Sequence, residues 1–189
     1  MKRTISLTLA VVLTATPALA HPDHVASGFL HPLGGLDHLL AMVAVGIWAS
    51  FLGVERRSAS VLVPAAFLIM MAIGAAAGFA GIKLPMVEAA ILTSVFVLGA
   101  LVALAVRLPS GWAMGLVGGF ALFHGYAHAS EAPAGSPGTY ALSFLAATTL
   151  LLVVGSGLSA VVRCLIGDLG VRALGGLAIA GGAFVLVGT

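Results

Sequence analysis

Residues 31–48 read HPLGGLDHLLAMVAVGIW, and this stretch poses the problem that the whole chain has to solve. It is apolar enough to lie in hydrocarbon, yet its first eight positions hold two histidines and an aspartate. An ionisable side chain inside a bilayer costs at least ~2.5 kcal/mol and usually marks a site or a path. The segment therefore reads as a membrane helix with a function attached to its first turns.

The rest of the chain supports the membrane reading. Of 189 residues, 61% are hydrophobic and 7% charged, and the mean hydropathy of +1.20 lies well outside the range of soluble domains. Twenty-five glycines with only 7% aromatic residues favour close helix packing through small residues in lipid. The eight Lys and Arg give a net charge of +2 but form no patch, so no nucleic-acid partner is expected. Cys164 is the single cysteine, which excludes an internal disulfide and a multi-thiolate metal site. Any metal must be held by nitrogen and oxygen.

Residues 1–20, MKRTISLTLAVVLTATPALA, have the order of a cleavable secretory signal: Lys2 and Arg3, an apolar run of about a dozen residues, Pro17, then Ala18-Leu19-Ala20. The run is short of the ~20 residues that span hydrocarbon. The mature domain, residues 21–189, would begin with His21 and His24 outside the cytoplasmic membrane. Six apolar segments follow, at about 29–53, 60–80, 86–106, 111–130, 139–162 and 173–188, the last of marginal length. The expected fold is an all-α membrane bundle of six transmembrane helices in the bacterial inner membrane. Arg56, Arg57, Arg107, Arg163 and Arg172 fall in alternate loops, with Lys83 alone between them, so both mature termini are expected in the periplasm. The glycine-rich steps GAAAG (74–78), GWAMGLVGG (111–119) and GGLAIAGG (175–182) read as packing faces, and a homo-oligomer is compatible with them. The two halves of the chain show no convincing similarity, so an inverted repeat is not supported.

With that topology all six histidines gather at the outer side. His31 and His38 are seven apart and share a face if the helix continues past Pro32, with Asp37 pointing elsewhere. His124, His128 and Glu131 stand at i, i+4 and i+7, a single stripe. An HxxxH pair presents two imidazoles to one ion, and a carboxylate one turn on can join or orient them. Two such segments facing each other would supply four to six nitrogen and oxygen ligands for a divalent cation. Taken singly, each element has a plainer reading. His31-Pro32 also suits a wetted helix start, Asp37-His38 an internal pair, Glu88 a structural interfacial residue, and Met42 packing.

His31-Pro32, Gly34, Asp37-His38 and Met42 resemble the HPxxGxDHxxxM signature of the HupE/UreJ family. Phe123-His124-Gly125-Tyr126-Ala127-His128-Ala129-Ser130-Glu131 resembles the FHGxAHxxE signature of that family, with Ala129 where glycine is common. The resemblance extends over essentially the whole chain. It implies nickel or cobalt uptake, in association with hydrogenase or urease, and essential roles for His31, Asp37, His38, His124, His128 and Glu131. It implies little for His21 and His24, whose capture of metal at the outer mouth is a separate inference.

The expected function is import of Ni2+ or Co2+ by a permease with no permanently bound cofactor and with the lipid bilayer as its surroundings. Imidazole and carboxylate suit nickel, cobalt and zinc, whereas the absence of thiolates disfavours copper(I). No Walker motif is present, so the chain does not hydrolyse ATP itself. The membrane potential supplies ~4.6 kcal/mol per 100 mV for a divalent ion. The alternative is an intramembrane zinc hydrolase, with Glu131 or Asp37 as base.

Overall fold

The computed structural model describes residues 24–133 and 135–188. The expected signal peptide and His21 lie outside the described residues. Seven helices make up the described residues: α1 His24–Gly34, α2 Leu36–Gly53, α3 Ala59–Phe79, α4 Val87–Ala103, α5 Ser110–Ser130, α6 Pro137–Ile166 and α7 Asp168–Gly188. Four of them, α2, α3, α6 and α7, are both long and apolar enough to cross a membrane. At 17 residues, α4 reaches about 25 Å, short of the ~30 Å hydrocarbon thickness. Although α5 has 21 residues, its glycines and two histidines dilute its hydropathy.

Two boundaries differ from the sequence expectation. The first expected span, 29–53, is two helices, broken at Gly35, whose backbone is extended at φ −95° and ψ 116°. A Cβ at this position would lie 2.9 Å from the Asp37 carboxylate and 3.3 Å from His38 Nδ1, so a larger residue would displace the Asp37 side chain from its present place. Asp37 then sits in the first turn of α2, where a carboxylate complements the exposed N–H groups. The continuous helix that would place His31 and His38 on one face is therefore absent. The last expected span begins at Asp168 instead of 173, which gives α7 a full spanning length.

The centre of the bundle is α2, in contact with α1, α3, α4, α6 and α7 and buried over most of its length. Glycines set its closest neighbours. A Cβ on Gly46 would run into the Leu152 carbonyl, and one on Gly155 into the Val43 carbonyl, so α2 and α6 meet backbone to backbone. Ser156 Oγ donates to the Gly46 carbonyl at 3.0 Å at the same crossing. The pair α3 and α5 meets likewise through Gly74 against the Leu122 carbonyl and Gly125 against the Met71 carbonyl, and α4 meets α7 through Gly99 and Gly175. This is the close approach that small residues permit in lipid. The expectation fails for part of 111–119: Gly111, Gly115 and Gly119 face open space, because α5 turns Ala113, Val117 and Gly118 inward instead.

Charged side chains occupy the end of α2 remote from His38. Arg107 pairs with Glu55, Arg163 with Asp168 at 2.9 Å, and the guanidinium groups of Arg107 and Arg163 lie 5.0 and 5.5 Å from the Phe51 ring. Trp48 Nε1 donates to the Val106 carbonyl at 2.9 Å. The crossings predict that Gly125→Ala, which forces α5 off α3, lowers the melting temperature of the detergent-solubilised protein by about 5 °C or more. Gly115→Ala should leave it unchanged, and equal melting of the two variants would contradict the packing described.

Candidate metal site

The break at Gly35 brings the two histidine segments together in a way one straight helix would not. His31 stands at the end of α1, His38 in the first turn of α2, and His124 and His128 in the last two turns of α5. Ring centroids are 5.0 Å apart for His31 and His128, 4.9 Å for His128 and His38, and 4.9 Å for His38 and His124. The four imidazoles thus form a file. The side chain of His31 is 31% exposed, that of His38 12%, and His128 and His124 are fully buried.

The carboxylates work at the mouth. Glu131, just past the end of α5, accepts from His31 Nε2 at 2.8 Å. Asp37 does not point elsewhere: its Oδ1 accepts from the His38 ring at 3.0 Å and from the His38 backbone N–H at 2.8 Å. A cavity of about 460 Å³ opens over these groups, lined by His31, Asp37, His38, Glu131 and also Glu88. Glu88, which reads from sequence as structural, is therefore a residue of the mouth. Met42 is fully buried in the apolar core.

Aromatic side chains hold the file in place. Phe144 of α6 stacks on His128 at 4.8 Å with planes 16° apart, Tyr140 lies 6.2 Å from His31, and Phe67 of α3 lies 6.0 Å from His124. Ser94 of α4 lies 3.0 Å from His124 Nε2. Sequence reasoning missed Ser94, Tyr140 and Phe144. The signal available was faint: a serine in the middle of an apolar run, and two aromatics one turn apart at the start of another.

What remains unpaired is informative. His38 Nε2, His124 Nδ1 and both nitrogens of His128 are buried without a hydrogen-bond partner among the described residues. Each such group costs about 1–3 kcal/mol when nothing satisfies it, so four together in one place favour a ligand or water among them. The ring nitrogens are suited to a borderline divalent metal. The expected single shell of four to six ligands is not formed, however. Among the described residues no group of three or more His, Cys, Asp or Glu is arranged to hold one ion. The reason is visible in the pairings: His31 is spent on Glu131, Asp37 on His38, and one nitrogen of His124 on Ser94.

These features define a helical, multi-pass membrane protein with a buried histidine file at one end. The chain belongs to the HupE/UreJ family: residues 9–186 match the family described as HupE / UreJ protein. It is also 46% identical over 191 residues to Protein HupE of Rhizobium leguminosarum bv. viciae, with 97% of each chain covered. No solved structure matches.

The unpaired nitrogens predict an unusual stability effect. In metal-free protein His128→Leu removes two buried polar atoms without a partner, each costing about 1–3 kcal/mol, and it should raise the melting temperature by several degrees. A marked fall measured in the presence of a chelator would mean that the His128 nitrogens have partners in the folded protein.

Proposed function

We propose that the protein is a permease that imports a divalent transition metal, Ni2+ with Co2+ as the alternative cargo, from the periplasm across the bacterial inner membrane. The single observation that carries this reading is the file of imidazoles running from the half-exposed His31 to the buried His124, with unpaired ring nitrogens along it. Membership of the HupE/UreJ family supports it. His31, Asp37, His38, His124, His128 and Glu131 are the proposed metal-handling residues.

A file suits a carrier better than a closed shell would. Conduction needs binding strong enough to take the ion from water and weak enough to release it, which is met by several weak sites in succession. Neighbouring imidazoles, about 5 Å apart by their centroids, offer one or two nitrogens at a time, with retained waters completing the ion's coordination. At the mouth, Asp37, Glu88 and Glu131 attract the hydrated cation; His31 is freed as Glu131 turns to the ion. His128 and His38 then take it deeper, and His124 is the innermost ligand.

Orientation follows from the same residues. The histidine end faces the periplasm and the Arg107, Arg163 and Glu55 end the cytoplasm, in keeping with the positive-inside rule and with a signal peptide at residues 1–20. Six membrane crossings result if α4 and α5 cross with the four longer helices and α1 lies at the outer surface. The hydrolase alternative gains no support: catalytic zinc takes three protein ligands and an open position, and no such triad is arranged among the described residues.

Uptake of radioactive Ni2+ into sealed liposomes containing the purified protein tests the proposal. Flux above empty vesicles is expected, reduced at least about tenfold by His38→Ala and by His124→Ala, since even indirect loss of ligand support costs that much. Absence of flux from folded, metal-binding protein would overturn it. A second expectation concerns the mouth. Glu88→Gln should raise the half-saturating Ni2+ concentration at low ionic strength while preserving the maximal rate, and the difference should shrink as salt is added.

A further inference from the structure

We infer that Ser94, which lies outside both histidine motifs, determines which nitrogen of His124 is available to the cargo ion; the consequence for metal rests on the permease reading, the proton placement does not. Ser94 is fully buried in α4. A serine hydroxyl has one proton to give and two lone pairs to receive with. Its oxygen lies 2.6 Å from the Ile91 carbonyl, which can only accept, so the hydroxyl proton is committed there.

Toward His124 Nε2, at 3.0 Å, Ser94 Oγ therefore acts as acceptor, and the ring must supply the proton. A neutral imidazole carries one N–H and one lone pair. With the proton on Nε2, the lone pair is on Nδ1, the nitrogen that is buried without a partner. The adjacent ring is set the opposite way. Asp37 accepts from His38 Nδ1 at 3.0 Å, so in the neutral ring the lone pair is on Nε2, again the nitrogen without a partner.

Two neighbouring rings, 4.9 Å apart and 85° between planes, thus have their tautomers chosen by two different acceptors, a carboxylate for His38 and a hydroxyl for His124. In both cases the choice leaves the unpaired nitrogen as the ligating one. This is the outer-shell control that fixes ring orientation in metal sites. His128 is the contrast: neither of its nitrogens has a partner, so nothing fixes its tautomer and it can present either nitrogen to an ion passing between its neighbours. Ser94 is accordingly a positioning residue, acting through His124.

The test is nitrogen-15 histidine solid-state NMR on the full chain in lipid, without metal, with His124 resonances identified by their loss in His124→Gln. The expected result is a protonated Nε2 and a bare Nδ1 in the unmodified protein. Ser94→Ala should move the proton or mix the tautomers, whereas Ser94→Thr, which keeps the acceptor, should restore the original pattern. Titrated with Ni2+ or Co2+, Ser94→Ala should bind about 10- to 100-fold more weakly, with an altered Co2+ absorption spectrum, and Ser94→Thr should recover both. Finding the proton on Nδ1 in the unmodified protein, or an unchanged tautomer and affinity in Ser94→Ala, overturns the inference. If the unmodified protein shows the expected tautomer and binds neither metal, the permease reading falls and the proton placement stands.

Discussion

A lone pair buried in an apolar bundle with nothing to bond to is the constraint on which the rest of this molecule depends. Three imidazole lone pairs, on His38, His124 and His128, and one N–H of His128 are buried without a partner among the described residues, and at about 1–3 kcal/mol each they burden the bundle by an amount comparable with a small protein's whole stability. The compensation is local. Gly125 is next to His124 and locks α5 against the Met71 carbonyl of α3, while Gly74 of α3 returns the contact at Leu122. Phe144 covers a face of His128 from α6, which is itself notched into α2 at Gly46 and Gly155. The helices that carry the unpaired groups are thus the helices held most closely, and backbone-to-backbone packing keeps the file from collapsing into mutual hydrogen bonds.

The same constraint explains why acceptors are rationed. Had Asp37, Glu131 and the four imidazoles all turned toward one point, they would make a tight shell, and a tight shell retains its ion. Instead each carboxylate has a histidine partner, and Ser94 occupies one side of His124. Those pairings lower the number of nitrogens offered at any place along the file. They also give the ring proton a defined seat, which on the permease reading is how a small, nearly uncharged protein specifies coordination without a large ligand set.

The sequence made the ligand types and the two segments legible because buried charge in an apolar run is conspicuous at any level of reading. It also made most of the helices legible, since apolar length is a direct consequence of membrane thickness. The break at Gly35 was harder to see. Pro32 is the residue that looks like a helix breaker, yet α1 runs through it to Gly34; the interruption falls instead at Gly35, whose extended backbone precedes α2. Ser94, Tyr140 and Phe144 were hidden for a related reason. A serine or an aromatic residue in an apolar helix is unremarkable until the fold shows which ring it faces. The glycines of 111–119 misled in the other direction, because spacing reports that a close contact is possible and not which face of the helix makes it.

The two ends of the bundle divide the chemistry between them. Between the two ends runs α2, Leu36–Gly53, whose 18 residues make about 27 Å of helix, with Glu55 just beyond its end. At the far end three arginines have partners: Arg107 pairs with Glu55, Arg163 with Asp168, and Arg172 Nε donates to the Ala103 carbonyl at 2.8 Å, while Arg107 and Arg163 also lie over the Phe51 ring. On the permease reading, discrimination among ions falls to the histidine end, where ring nitrogens are buried without a partner among the described residues. Imidazole alone ranks Cu2+ above Ni2+ and Co2+. Ligand identity therefore cannot be the selector; on the permease reading, what distinguishes one ion from another is which nitrogen each ring presents, and at what separation. On that reading those quantities are set by Asp37, by Ser94 and by the glycine-notched helix pairs.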